Sequence, residues 1–539
     1  MDILISALKK EVMNHRGIAI YGCGKMAKET YDALLKCAKR PEFCVVSQKL
    51  NGDECFQNEI PIYEFSKQAD YIKENDILVI IGVSALYEKE IEETLQCHQV
   101  KRYICITHFE RFVRYNHMSA QECLEEIAEW YVGNHIAEGK QDRHIILKRL
   151  RDIIKQEKDD KKVVFAMGAL TPRVLKAAEA LLEEGYQIRL IVNQTAVMQD
   201  FCEKRLRQMH LTYEKCTTLE EFMYRIISEN AKVVHLFTNL GNSPIDRILI
   251  QNKELFPPFV YDEYDIYNLC YDGMPLQLLE NERFCLEHAD GVCNRGYEID
   301  YLMDNGFDIK GFRIQFHDYC SSEQISCVQE ENDELSLCYA GGIFSGQESI
   351  EWSDSFCECA RLCAANNCHF HVYPAAWNEE HLKDYIELDR VSPYFHLHQP
   401  ISFEKLKCEL SKYDYGIFPI KRMYFIRGLS LTQGQTHIAY RKEELMYATG
   451  NKYFDYLDAG LPIIAACPQK LMSFLETKGV VLNWAVEEYD FAEMRKRKGE
   501  LKKRVLEEHS GLQMRQHIGE LTALYDLVGA RKDQVLKDV

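Results

Sequence analysis

Gly450-Asn451-Lys452-Tyr453-Phe454-Asp455-Tyr456-Leu457-Asp458-Ala459-Gly460-Leu461-Pro462-Ile463-Ile464-Ala465-Ala466 is the stretch from which the rest of the chain can be read. Tyr453, Phe454, Leu457 and Leu461 recur at helical spacing, Gly460 stops the helix, and Leu461 to Ala465 reads as the buried strand that follows. Asn451 and Lys452 stand at the helix start, beside backbone N–H groups that have no partner within the helix. Those groups, the helix dipole and one ammonium suit a phosphate. Asp455 falls one turn further along on the same side and can accept hydrogen bonds from a sugar hydroxyl. An ordinary amphipathic helix with a glycine cap accounts for the same residues equally well.

The wording "NKYFDYLDAGLPIIAA" resembles the donor-binding segment of GT-B glycosyltransferases, close to the recurring form "NKxFEYxxxGxPVIA". The resemblance implies that Asp455 holds the ribose of a nucleotide sugar and that the helix start faces its diphosphate. Many retaining members carry two glutamates eight positions apart. Here Asp455 occupies the second position and Tyr447 the first, so the donor-sugar contact of that first glutamate has no counterpart.

A chain of 539 residues is too long for one core and suggests roughly three domains. The balance of 65 Lys+Arg against 84 Asp+Glu, a net charge of −19, argues against generic binding to nucleic acid or to an anionic membrane. No stretch reaches the roughly 18 apolar residues of a membrane helix, and nothing directs the chain for export. The expected place is the cytoplasm, with peripheral membrane contact left open. The 21 cysteines fit reduced thiols there. Cys357, Cys359, Cys363 and Cys368, followed by His369 and His371, make a zinc site conceivable, but without paired C-x2-C spacing they read as buried thiols.

Ile18 to Tyr21 followed by Gly22-Cys23-Gly24-Lys25-Met26-Ala27 is a strand, a G-x-G-x-x-A turn and a helix start, so Gly22 and Gly24 form a candidate nucleotide turn. The second strand, Phe43 to Ser47, ends without the acidic residue that would hold a ribose, which counts against NAD. Residues 1–135 resemble the small Rossmann-like domains ("YGxGxxG" followed by "VIIxV") of bacterial polysaccharide-biosynthesis proteins, and a structural or docking role is the competing reading. Residues 136–162 read as a helical connector ending in the solvated run Glu157 to Lys162.

"LTPRVLKAAEALLEEGYQIRLIV", from Leu170 to Val192, resembles the start of the acceptor-side domain in the glycogen-synthase-like retaining group, commonly "DxRVxKxAxxLxxxGHEVxVI". The resemblance places Gly168 and Arg173 at the interdomain cleft; Arg173 reads as an anion contact or as a surface-paired residue. Pro258 to Asp265 resembles the "PVVxDxxD" strand end, which makes Asp265 a candidate acceptor contact or base, with a helix N-cap as the alternative. Residues 163–325 are the expected acceptor-side domain and 318 to 334 a polar, acidic linker.

Leu335 to Ile343 runs as a strand into Gly341 and Gly342, whose backbone N–H groups are expected near the diphosphate. Pro400 to Pro419 resembles the family's "xxxELxxxxxxYDxGLxP" pattern, which puts Ile401 at the base. His369 and His371 alternate on one strand, His396 and His398 on another; a metal reading competes with a cap on the sheet end. No Asp-x-Asp motif occurs in the chain, so neither metal nor cofactor is expected beyond the substrate itself. The basic run Arg495 to Lys498 reads as a solvated helix face.

These readings lead to an α/β protein of three Rossmann-like domains, the last two (163–325 and 335–539) forming a GT-B pair with an interdomain cleft. The resemblance implies metal-independent transfer of a sugar from a nucleotide diphospho-sugar to a saccharide or lipid-linked saccharide. The transfer would be retaining and would serve bacterial polysaccharide or glycoconjugate synthesis. Asp265, Lys452 and Asp455 are its candidate catalytic residues; Gly341, Gly342, Ile401, Asn451, Lys452 and Asp455 its donor contacts. A nucleotide-sugar epimerase or a phosphorylase on the same architecture, or a non-catalytic sugar-nucleotide-binding assembly partner, are the rivals.

Overall fold

The computed structural model describes residues 12, 15–47, 60–83, 85–100, 102–106, 118–135, 142–193, 200–238, 243–270, 276–321, 325, 334–343, 345, 350–427, 429–433, 436–440, 442–450, 452–466 and 470–537. Its first sheet is built from β1 (Ile18–Tyr21), β2 (Phe43–Val46), β3 (Ile62–Glu64), β4 (Leu78–Ile81) and β5 (Tyr103–Cys105), in the order β3-β2-β1-β4-β5. All its neighbours are parallel. Runs such as Ile-Ala-Ile-Tyr and Leu-Val-Ile-Ile are buried throughout, because helices cover both faces of such a sheet. This is the doubly wound Rossmann order.

The second sheet repeats that order. It contains β6 (Asp159–Met167), β7 (Gln187–Val192), β8 (Tyr213–Lys215), β9 (Ala231–Thr238), β10 (Phe259–Glu263), β11 (Gly291–Asn294) and β12 (Phe312–Gln315), arranged β12-β11-β10-β9-β6-β7-β8. The third holds β13 (Leu335–Gly341), β14 (Cys368–Pro374), β15 (Phe395–Leu397), β16 (Tyr415–Phe418), and, after a separate hairpin of β17 (Leu429–Gln433) and β18 (Thr436–Tyr440), β19 (Ile463–Ala465) and β20 (Val481–Leu482). Its order is β15-β14-β13-β16-β19-β20. The expected α/β architecture of three Rossmann-like units, the last two facing each other across a cleft, is thus the one observed.

Three readings of the connections need correction. The expected connector, 136–162, is not a bare link: its helix Arg143–Lys155 packs with helix Ala120–Asn134, and Cys123, Leu124, Ile127, Tyr131, Ile146 and Leu150 are buried in one core with residues of both the first and the second sheet. The apolar faces of these helices are wide enough to need cover, and the charged run after them enters β6 at Asp159. The polar segment after residue 318 begins later than its composition implies, since Asp318, Tyr319 and Cys320 are buried. Finally, helix Met514–Lys537 leaves the last unit and lies on the second sheet. Tyr525 Oη meets His235 Nδ1 there at 2.6 Å, and Leu524 and Val528 pack against Gly291. Among the described residues no helix is long and apolar enough to cross a membrane.

Candidate functional site

Between the second and third sheets lies a cavity of about 400 Å³. Tyr264 and Arg295 close it from the second unit; Ala340, Gly341, Tyr373 and Pro374 wall it from the third, with Ile401, Lys452 and Asp455. Each contributor sits at or just beyond the carboxyl end of a parallel strand, or at the start of a helix. Open α/β sheets present ligand sites in such crevices, because the turns leave backbone and short helix ends uncovered.

Lys452 opens helix Lys452–Asp458 and is the cavity's distinctive group. Its Nζ donates to Tyr339 Oη at 2.7 Å, and that hydroxyl donates to the Gly342 carbonyl at 2.7 Å. The ammonium lies 4.3 Å from the centre of the Tyr339 ring and 4.8 Å from that of Phe418. Among the described residues no carboxylate forms an ion pair with it. Aromatic faces compensate a buried cation only in part. Burial therefore holds the Lys452 pKa down at about 7 despite the nearby Asp455 charge.

Asp455, one turn along, lies 3.7 Å from Lys176 Nζ of the opposite unit, and its carboxyl is pushed up to about 6, chiefly by burial. Lys176 also donates to the Asp318 and Tyr319 carbonyls of its own unit at 3.3 and 3.0 Å, so that its ammonium meets the third unit at Asp455, beside the cavity. Asp458 is committed elsewhere: His509 Nε2 reaches it at 3.0 Å and the Ser321 N–H donates to it at 2.9 Å.

Gly341 ends β13 with φ +148°, a conformation that side chains disfavour. A Cβ there would also lie 2.9 Å from Lys452 Nζ and 3.1 Å from Tyr339 Oη. Gly341→Ala is accordingly expected to displace the ammonium and to cost about 1–3 kcal/mol of stability, read from chemical denaturation.

Asp265, expected as an acceptor contact, a base or a helix cap, is ion-paired with Arg295 at the cavity wall. The cap role belongs to Glu282, whose carboxylate accepts from the Tyr267 and Asn268 N–H groups at 2.6 and 2.7 Å. Arg173 is neither a surface-paired residue nor an open anion contact. Its Nε donates to Asp262 at 3.0 Å and its Nη1 to Asp318 at 2.8 Å, and it is only 4% exposed. Gly168 is buried in the turn after β6. Gly342 is exposed beside Gly341, Ile401 lines the cavity, and Asn451 lies outside the described residues.

Tyr447 packs beside Tyr301, with ring centres 5.1 Å apart, and its carbonyl accepts from the Tyr297 N–H at 2.9 Å, so the segment before Lys452 is pinned to the second unit. In the first unit Gly22 (φ +127°) is required by its neighbours: a Cβ would come 2.8 Å from the Gly82 carbonyl oxygen. Gly24 precedes helix Lys25–Lys36 without a side-chain cap.

The residues that the sequence reading missed are Tyr264, Arg295, Tyr373 and Lys176. Lys176 occupies the lysine position of the "DxRVxKxA" pattern, and Arg295 stands directly after a strand and before a glycine; both were visible signals. Three groups of potential metal ligands occur among the described residues. In two of them, His235-Asp262-Cys293 and Cys320-Asp458-His509, the carboxylates are already bound by Arg173 and by His509 and Ser321. The third is the histidine set on β14 and β15, where burial holds the His371 pKa down at about 2. Cys359, Cys363 and Cys368 are buried and free, while Cys357 is exposed.

No family model and no curated protein matches the chain. Among solved structures it is similar to a sucrose-phosphate synthase from Thermosynechococcus elongatus (11% identity, 70% of this chain and 100% of that one, TM-score 0.42). It is also similar to the lipopolysaccharide outer core galactosyltransferase WaaB in its apo form (10%, 68% and 99%, 0.44). A third is MnaA of S. aureus, solved with UDP (10%, 68% and 97%, 0.39). Scores below 0.5 are too low to carry function across from any of them.

Proposed function

We propose that the chain is a glycosyltransferase that takes a sugar from a nucleotide diphospho-sugar bound in this cavity and passes it to an acceptor hydroxyl. The observation that carries the reading is Lys452, a desolvated ammonium without a carboxylate ion-pair partner among the described residues, aimed into a cleft beside the Gly341 turn. A diphosphate supplies the missing counter-charge. As the glycosidic bond breaks, negative charge grows on the leaving diphosphate, where Lys452 stabilises it most. Asp455 accepts the ribose hydroxyls, Ile401 covers the base, and Arg295, held by Asp265, closes the opposite wall. Polysaccharide or glycoconjugate assembly is the expected setting, and the motif resemblance supports it.

Product analysis tests the reaction: free nucleoside diphosphate together with an acceptor-linked sugar is the expected result. Release of an epimerised nucleotide sugar without acceptor would overturn it. Asp455→Asn is expected to weaken donor binding by about 10–100-fold, the loss of a hydrogen bond to a charged group. In the parent, affinity falls below about pH 6 as Asp455 takes up its proton. In the variant that acid limb disappears from the pH profile.

Tyr447 favours a second reading. It offers no carboxylate to a donor sugar and is occupied by Tyr301 and the Tyr297 N–H. On that reading the chain binds sugar nucleotides without turnover, and donor binding with no product from any acceptor would establish it.

A further inference from the structure

His369 and His371 lie two residues apart on β14 and so share one face of the sheet. The parallel register sets His396 of β15 directly beside His371, and His398 two residues on. Four imidazoles thereby meet in two rungs, His369 Nδ1 to His396 Nε2 at 2.8 Å and His371 Nδ1 to His398 Nε2 at 2.9 Å. One potential ligand atom from each of His369, His371 and His396 lies within 4.8 Å of the other two. Glu334 Oε2 stands 3.0 Å from His369 Nε2.

We propose that this face binds a divalent transition-metal ion of imidazole preference, such as Zn²⁺, through His369, His371 and His396, with water in the fourth position. Three imidazoles with one open position are a recurrent zinc arrangement. Two strands supply it here without any loop: alternate residues of one strand and a register partner on the next hold the three Cβ atoms about 5–7 Å apart. The rings of His371 and His396 now stack with centres 4.4 Å apart, so binding requires rotation about χ2 rather than backbone movement. An ion between His369 Nδ1 and His396 Nε2 replaces a hydrogen bond in which one of the two nitrogens carries the proton. An outer partner is also in place: the Glu334 carboxylate accepts from His369 Nε2–H, which leaves Nδ1 as the ligating nitrogen, and His398 Nε2 lies 2.9 Å from His371 Nδ1. A cap on a sheet edge needs no carboxylate there. The site is independent of the transferase reading and lies outside the cavity that holds Lys452.

The test uses the full-length chain without an affinity tag, stripped with a chelator and then titrated with Zn²⁺ or Co²⁺. Expected are one ion per chain by equilibrium dialysis, the visible absorption of tetrahedral Co²⁺, and an unfolding midpoint that rises with Zn²⁺ concentration. His371→Gln and His396→Gln should each abolish the Co²⁺ band and weaken binding by more than about tenfold. His398→Gln should keep the band with a smaller loss. Far-UV circular dichroism of the metal-free variants confirms that they are folded. Absence of stoichiometric binding by the parent protein overturns the proposal whatever the variants do, as does binding that both ligand variants retain.

Discussion

Lys452→Met is expected to lower both the affinity for a nucleoside diphosphate and the rate of sugar transfer by about 10²–10³-fold, the usual cost of removing a preorganised charge-stabilising donor. The variant should nevertheless be at least as stable as the parent. Methionine is unbranched and only one atom shorter than lysine, and its thioether suits the Tyr339 and Phe418 ring faces. The ammonium, by contrast, is desolvated there without an ion-pair partner among the described residues. The folded pKa of about 7 lies below the ordinary lysine value, so between about 7 and 10.5 the unfolded chain binds more protons than the folded one. Lys452 thus makes stability rise with pH across that window, and the variant loses this slope. Ligand binding has the opposite sign. A diphosphate raises the Lys452 pKa, so affinity is flat just below about pH 7, falls about tenfold per unit above it, and binding there takes up a proton.

The second large effect is on folding. Arg173→Met should destabilise the protein by about 3–5 kcal/mol, seen as a lower denaturation midpoint with an unchanged slope, because it leaves Asp262 and Asp318 without their shared cation. Burial alone pushes the Asp262 carboxyl up; Arg173 and His235 hold it below the ordinary range. In the parent this depressed value contributes stability above the unfolded pKa, lost as pH falls through the folded value. Without Arg173 the burial effect wins and the folded pKa rises above the unfolded one. Asp262 then stabilises the variant only at low pH, so the deficit should be smaller near pH 4 than at neutrality. Arg173→Met acting through the Lys452 cavity alone would leave the midpoint unchanged.

Helix Lys452–Asp458 could be read from the sequence because its pattern is local. Lys452, Asp455 and the Gly460 stop fall within three turns, and helical geometry alone puts the first two on one side. Gly341 was legible for the same reason, as a strand end that a Cβ would block. The three doubly wound sheets were legible from unbroken apolar runs, which only a parallel sheet covered on both faces accepts.

Arg173 was misread because its partners, Asp262 and Asp318, lie 89 and 145 residues away; nothing in the local sequence distinguishes a helix-start arginine at the surface from one roofed by another strand. Asp265 resembled a helix cap because Tyr267 follows it, yet the cap comes from Glu282 on a later helix. The crossover of helix Met514–Lys537 to the second sheet was likewise illegible, since its apolar face carries no record of which sheet it covers.

The central claim is that Lys452 is the counter-charge for a diphosphate, and calorimetric titration of nucleoside diphosphates into the full chain and into Lys452→Met tests it most directly. Titrations at about pH 8, one unit above the Lys452 value of about 7, in two buffers of different ionisation enthalpy report proton uptake together with affinity. The account predicts one diphosphate per parent chain, close to one proton taken up with it, and loss of both in the variant. Equal affinity and equal proton uptake in parent and variant, or no binding of any nucleoside diphosphate to the parent, would contradict it.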